Sequence, residues 1–501
     1  MKAAKKWTLD IVPQEHLDIG FTDYAPKVAE LQSESVDGVL DILKKQPDFR
    51  WTLDGSWVAQ QYLATRSESR RKDFLAAVRA GQIIVPAQYA NQLTGTASLE
   101  GLIRGLHYSH SLARKYDLPV GAANITDVPS YSWSYASVLH DAGVKYLAAA
   151  SNSWRAPVVL QGRWNEKSPF YWEGPDGGRV MMWYSRAYLQ LATLYGTPPT
   201  LPAVEDAMPV FLQAYTRPDY VANSVIVYGS QLENTPLSRA QAKLPGEWAK
   251  EFAYPRMVFT TFKAAMASLK KQFHGDLKTY RGDLGPYWED GFTSDARYTG
   301  IFRRNQQRIL TAEKMSTLPA LLNPELRPDR ARMADAWQNM LLFGEHTWTA
   351  VSGTTQPEGD QYRRQLKQKD MESVIAGNDI TKTVEQSWAQ LESQIELKQR
   401  SVVAFNSLSW KRSGWVDVDL PAGQMIVDTA TGHAVPQVIL RREAGTQLPG
   451  FGGATNRVRF EAEDVPAMGY RAFAIAPATG AHSFVPESVA NEGATVVLAN
   501  R

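Results

Sequence analysis

Along the first half of the chain, short apolar runs alternate with longer stretches whose apolar residues recur at helical spacing. The runs at 9–12, 49–53, 83–86, 120–125, 144–149, 224–228 and 257–260 predict strands. The stretches 67–80, 98–115 and 132–142 predict helices, with Gly81 and Gly143 where a helix-ending glycine belongs. Such alternation predicts a parallel sheet with helices outside it, either open or closed as a barrel. Residues 152–191, with their Gly, Pro, Trp and short β-like runs, predict an elaborated loop over one face. After Arg281 the period changes. Residues 294–322, 329–343 and 360–399 are long, charged and helical in spacing, with breaks marked by Pro319, Pro324 and Pro328, and they predict a helical bundle. From Ser401 the pattern alternates again, at 402–405, 414–420, 434–440, 457–461 and 469–475, as antiparallel strands joined by Pro/Gly turns would. The expected organisation is therefore multidomain α/β: an α/β unit over 1–280, a bundle over 281–399 and an antiparallel β domain over 400–501. The chain stops inside a further strand candidate, 494–501, which would be an exposed apolar edge unless paired. That suggests a truncated β domain, a fragment of a longer protein.

Composition narrows the function. A chain of 501 residues is long enough for roughly two to four domains. A net charge of +2 supplies no field for nucleic acid or an anionic membrane. The absence of Cys excludes disulfides, thiolate metal sites and a Cys nucleophile, so any metal must rest on His, Asp and Glu. Fifteen Trp and 21 Tyr are many, as sugar-stacking sites require and as large cores also use. No signal peptide and no membrane span are expected. The compartment stays open between the cytoplasm and, for a processed chain, the periplasm or exterior.

The first strand candidate carries the most chemistry. Pro13 is expected to stop it, and His16 and Asp18 follow two residues apart, on one side of extended chain. An imidazole and a carboxylate just past a strand end suit a divalent metal such as zinc, or they are ordinary polar groups of a solvated loop. Asp127 directly follows the strand at 120–125, as a site residue or as the cap of a helix beginning near Ser132. His346 ends a bundle helix, where one imidazole also serves as a helix-end charge. Glu233 follows the strand at 224–228, and Glu289-Asp290-Gly291 follows Tyr287-Trp288. Each is a candidate acid or a solvated loop carboxylate.

In order along the chain, these motifs resemble glycoside hydrolase family 38, the zinc-dependent α-mannosidases. That family opens on His-x-Asp-x-Gly-Trp, and this chain has His16-Leu17-Asp18-Ile19-Gly20-Phe21. Asp127, followed by Gly143-Val144-Lys145-Tyr146, is similar to the family's Asp and its next strand. Trp51-Thr52-Leu53-Asp54-Gly55, Gly282-Asp283-Leu284, Arg304-Asn305, Glu345-His346-Thr347 and Phe405-Asn406-Ser407 extend the likeness along nearly the whole chain. The resemblance implies a (β/α)7 barrel, a helical bundle and a β domain, with one zinc ion held by His16, Asp18, Asp127 and His346. It implies Asp127 as the nucleophile of a retaining α-mannosidase-type hydrolase acting on an oligosaccharide or glycoside. Phe21, Asp54, Tyr131 and Trp348 are the expected sugar contacts. Neither nucleic acid nor membrane enters, and assembly into a homo-oligomer is left open.

Three departures bear on this. Phe21 stands where the family has Trp, and Thr347 where it has Asp. Ser230-Gln231 stands where it has its acid loop, so the acid role falls to Glu233, with Asp290 and Glu289 in reserve. Two other classes fit parts of the pattern. One is a metal-dependent carbohydrate deacetylase, and the other a zinc- and sugar-binding relative without catalysis.

Overall fold

The computed structural model describes residues 5–498 apart from 128–129, 153–161, 236, 286–287, 349, 446–452, 479–488 and 493–494. The described residues form a multidomain α/β protein that divides into two compact units. One comprises 1–309 and 331–380, the other 310–330 and 381–501.

The strands of the first unit are β1 (Thr8–His16), β2 (Trp51–Thr52), β3 (Ile83–Ile84), β4 (Ala122–Asp127), β5 (Tyr146–Ser151), β6 (Phe170–Glu173), β7 (Arg179–Ser185), β8 (Ser224–Glu233), β9 (Arg256–Phe259) and β10 (Thr279–Tyr280). They make two sheets, ordered β3-β2-β1-β8 with β9 also on β1, and β10-β6-β7-β5-β4. Every pairing in the first sheet is parallel, and β4, β5 and β7 are parallel in the second; β6 runs antiparallel to β7. Main-chain hydrogen bonds also join the sheets at both sides: Ala87 N donates to Ala122 O at 3.0 Å, and Ser230 N to Tyr188 O at 2.8 Å. Parallel strands covered on both faces are apolar throughout rather than alternating. Leu9 and Ile11 of β1 pack among Leu191, Leu194 and Trp248, while Val12 packs with Trp183, Tyr228 and Phe262.

Two sequence expectations change here. β1 does not stop at Pro13 but runs through it to His16. Ile11 O accepts from Thr260 N beside β9, so Pro13, two residues on, turns its N-less side the same way. There the β9 register has ended at Ile11 and β2 begins only at Gln14, so no partner strand requires the missing N–H. The segment 152–191, expected as a loop, contains β6 and β7. β7 is central and its residues Val180–Tyr184 are buried. Its apolar run is like those of the other buried strands, but it sits among the Gly, Pro and Trp residues that gave the whole segment the look of a loop.

Helices cover the sheets where the periodicity placed them, at Glu68–Arg79, at Leu99–Arg104 followed by His107–Tyr116, and at Trp133–Asp141. Gly81 and Gly143 have φ of 66° and 78°, the left-handed geometry a helix-ending glycine supplies. The helix at Trp133–Asp141 has Ser132 at its N-cap, but the Ser132 hydroxyl donates to Thr94 O at 3.3 Å rather than capping, and the first N–H, of Trp133, is accepted by Asp283 Oδ1 at 2.7 Å. Asp127 is the last residue of β4 and accepts from no N–H of this helix, so it is not its cap. Beyond these, Ala296–Leu322, Arg330–Phe343 and Asp360–Glu392 are long helices. Pro319 lies inside the first, whose last turn continues past it through Asn323 N to Pro319 O at 2.8 Å.

The second unit carries β11 (Ser401–Asn406), β12 (Arg412–Pro421), β13 (Gln424–Asp428), β14 (Gln437–Glu443), β15 (Thr455–Val465), β16 (Gly469–Pro477), β17 (Val489–Glu492) and β18 (Thr495–Leu498). They form antiparallel sheets β11-β16-β13 and β12-β15-β14, with β17 paired to β18. Leu420, Ile426, Val458, Phe460 and Phe473 from both three-stranded sheets share one core, the Phe460 and Phe473 rings meeting edge to face at 5.0 Å.

Two outcomes follow. Gly229 of β8 has φ of 150°, and a Cβ there would lie 2.6 Å from Tyr188 O and 2.8 Å from Gln190 N. Gly229→Ala should therefore lower unfolding free energy by roughly 2 kcal/mol in a denaturant titration. Asp283→Ala should cost about 1 kcal/mol and speed amide exchange at Trp133, whereas Asp127→Asn should leave exchange at that helix end unchanged.

Candidate metal centre

Three strands end at one place. β1 delivers His16 and then Asp18, β4 delivers Asp127, and β8 delivers Glu233, which stands opposite His16 in register. His346 arrives from the segment after helix Arg330–Phe343, anchored by its N–H to Asn91 O at 2.9 Å. His16, Asp18, Asp127 and His346 are buried, and one ligand atom from each lies within 4.8 Å of all the others. His346 Nε2 is 3.1 Å from Asp18 Oδ1 and 3.3 Å from Asp127 Oδ2, and His16 Nε2 is 3.4 Å from Asp18 Oδ1.

The far side of each ring explains why Nε2 faces inward. His16 Nδ1 lies 2.9 Å from Asp54 Oδ2 and 2.8 Å from Thr126 Oγ1. Asp54 is 0% exposed and accepts from Leu17 N at 3.0 Å, Asn91 Nδ2 at 2.9 Å and Thr126 Oγ1 at 2.6 Å, and also from Asn124 Nδ2. Burial pushes the Asp54 carboxyl up, but the His16 ring and these donors outweigh it and hold it below its ordinary value. On His346, Nδ1 lies 2.7 Å from Glu345 Oε1. Each imidazole thus has a buried carboxylate at Nδ1, which favours a proton there and leaves the Nε2 lone pair for the centre.

Charge completes the picture. Burial opposes a charge on either imidazole, yet Asp18 and Asp54 around His16, and Glu345, Asp127 and Asp18 around His346, raise both pKa values well above normal. The cluster therefore draws positive charge to itself, as protons on Nε2 or as a cation in their place. His16 Nε2, His346 Nε2 and Asp127 Oδ1 are buried and make no hydrogen bond among the described residues, as atoms turned toward an ion would be; His346 Nδ1 makes none either, its 2.7 Å approach to Glu345 Oε1 being an ion-pair contact. Two carboxylates and two imidazoles are a donor set suited to zinc and similar divalent metals. Asp127 has φ of 66°, a left-handed backbone that Asp tolerates better than most residues and that bends the chain where β4 ends.

The other expected site residues fall in several places. Glu233 accepts a hydrogen bond from Tyr188 Oη, and burial pushes its carboxyl up to about 7. Glu289 Oε1 is held by Gly95 N at 3.2 Å and by Ser130 Oγ. Asp290 belongs to the 3-10 turn Trp288–Asp295, with its side chain outside the described residues. Phe21 and Trp348 border one cavity together with Gly20, Thr347 and Gln365. Asp54 and Tyr131, expected as sugar contacts, are buried and engaged by protein groups. Asp54 is spent on His16 and its neighbours, and the buried Tyr131 ring packs between Trp172 and Tyr184 while its hydroxyl donates to Ile125 O at 3.3 Å. The sequence reading missed Asn91, Asn124, Thr126 and Tyr188. A signal existed for two of these: Asn124 and Thr126 are polar residues inside a buried strand, and such groups need a purpose.

Comparison with known proteins gives the likeness a name. The model of the glycosyl hydrolases family 38 N-terminal domain matches residues 6–283, more than half of the chain. An alpha-mannosidase from Enterococcus faecalis V583 superposes with a TM-score of 0.72 at 17% identity, over 94% of this chain and 56% of that one. A protein in the glycosyl hydrolase family 38 from Enterococcus faecalis superposes with a TM-score of 0.67 at 18% identity, over 95% of this chain and 55% of the other. At such identity the likeness is one of fold, and the chain spans little more than half the length of either structure. No curated protein matches it. With the strand ends, the ordered motifs and the family match in agreement over 6–283, the chain belongs to glycosyl hydrolase family 38.

Proposed function

We propose that the protein is a metal-dependent retaining glycoside hydrolase of the α-mannosidase type, with His16, Asp18, Asp127 and His346 holding one zinc ion. The convergence of four buried ligand atoms within 4.8 Å, two of them unpartnered imidazole nitrogens, carries this reading. When bound, the ion would supply a Lewis-acid contact that orients sugar hydroxyls. The rest of the chemistry belongs to the chain. Asp127, turned at the end of β4, attacks the anomeric carbon as the bond to the leaving oxygen breaks. Glu233 gives that oxygen its proton. Glu233, now a carboxylate, takes a proton from water, and the water oxygen opens the ester to Asp127, returning both residues to their starting states. Tyr188 orients Glu233 through its hydroxyl. Phe21 and Trp348 are the aromatic surfaces available to the sugar ring.

Ser230 and Gln231 are otherwise engaged. Ser230 Oγ is 3.5 Å from Tyr188 O, and Gln231 Nε2 donates to Gly196 O at 2.6 Å. That favours Glu233 as the acid. The same reading takes the two parallel-containing sheets as one (β/α)7 barrel over 1–280, closed by the Ala87–Ala122 and Ser230–Tyr188 hydrogen bonds. It takes 281–399 as a bundle that brings in His346, and 400–501 as the β domain.

The test is a panel of aryl and natural α-glycosides on zinc-loaded protein. Asp127→Asn should abolish turnover of both. A general acid must be protonated, and burial keeps Glu233 protonated up to about pH 7. Activity on natural glycosides should therefore be full below that pH and fall as pH rises through it. Glu233→Gln should slow natural glycosides by about 10²–10⁴-fold, aryl glycosides with acidic leaving groups far less, and remove the alkaline fall. Zinc binding without turnover of any glycoside would replace this reading with a non-catalytic one, and acetate release from acetylated sugars would replace it with a deacetylase.

A further inference from the structure

His346 does not stand on its own. Its Nδ1 lies 2.7 Å from Glu345 Oε1, and Glu345 is 0% exposed with both oxygens occupied. Oε1 accepts from Thr347 Oγ1 at 2.8 Å, and Oε2 from Thr347 N at 3.1 Å and from Lys369 Nζ at 3.2 Å. Lys369 reaches in from helix Asp360–Glu392, buried over most of its length, and also donates to Leu342 O at 2.7 Å and Glu345 O at 2.9 Å. One ammonium thus collects two carbonyls at the end of helix Arg330–Phe343 and the carboxylate that faces His346.

The comparison with His16 is informative. Behind that ring, Asp54 is compensated by neutral donors, namely two Asn side chains, a Thr hydroxyl and a main-chain N–H. Behind His346 the compensation is a full positive charge. An ionised carboxylate at Nδ1 makes Nε2 a stronger donor to a cation and fixes the ring's tautomer. The ammonium holds the Glu345 carboxylate against the His346 ring, through Oε2 and through the two carbonyls at the helix end.

We infer that Glu345 and Lys369 form a positioning pair that holds His346 with Nε2 toward the cation and sets how tightly the centre retains it. This inference rests on the metal centre of the proposed function. The competing role is purely structural, with Lys369 tying down the helix end and Glu345 serving only as its partner.

Zinc affinity measured by chelator competition separates the two. Glu345→Gln keeps the shape and removes the charge. Glu345→Gln combined with Lys369→Met removes both members of the pair together, and so guards against a variant that fails to fold because one of them is left alone. Both should bind zinc roughly 10–100-fold more weakly than the wild-type chain, and Glu345→Asp, which restores a carboxylate, should recover part of the loss. With only eight histidines in the chain, ring ¹⁵N signals can be assigned by substitution. In the zinc-loaded chain the His346 Nδ1–H should exchange slowly with water in the wild type, shielded by Glu345, and faster in the doubly substituted chain. Unchanged zinc affinity in the variants, with only the melting temperature lowered, would overturn the inference and leave the structural role. Failure of the wild-type chain itself to bind zinc would overturn the metal reading, and this inference with it.

Discussion

Taking a carboxylate out of water costs several kcal/mol unless something replaces the lost solvation. Asp18, Asp54, Asp127 and Glu345 are all buried around one point. The surrounding structure answers that cost residue by residue. Main-chain and amide donors satisfy Asp54, an ammonium and Thr347 satisfy Glu345, and two imidazoles stand between the outer carboxylates and the inner pair. Among the described residues, Asp127 Oδ1 and both Nε2 atoms make no hydrogen bond, and the Nε2 atoms meet only the inner carboxylates. The concentration of acid at the strand ends makes sense only with positive charge in the middle, and the polar residues lining the sheet interior follow from it.

Much of the architecture was legible because the signals were local. The strands at β1, β4, β5 and β8 begin within two residues of their expected starts, and glycine ended the helices where left-handed backbone was needed. What escaped depended on partners distant in sequence. β7 is buried on both faces, and the Gly, Pro and Trp residues around it read as a loop until its pairing with β5 is known. Pro13 reads as a stop until the neighbouring strands are known to leave a gap beside it. β13, five residues between turns, is recognisable chiefly through its pairing with β16.

The site divides the same way. His16, Asp18, Asp127 and His346 were named from residue type, order and family likeness, and their ligand atoms are found together. Asp54 was assigned outward, toward a sugar, because a motif identifies a residue without saying which side of a strand it serves. It instead faces inward to His16. The Tyr131 ring, beside a candidate nucleophile in sequence, is likewise buried, against Trp172 and Tyr184. Glu345 drew no separate notice because its value lies in Lys369, 24 positions further on and in another helix.

The pairing of β1 with β8 has a consequence for how such chains diverge. Gln14 stands opposite Ser230, but His16 stands opposite Glu233, so β8 advances three residues while β1 advances two. The extra residue is a bulge, and it decides which side chain meets the imidazole. Were one residue deleted there, Glu233 would turn to the other face of the sheet and a neighbour would take its place. A single codon gained or lost in this short segment could thus exchange the carboxylate opposite His16 while His16, Asp18, Asp127 and His346 stayed in place. Residue-by-residue alignment across such an event would place that carboxylate one or two positions away from its true counterpart.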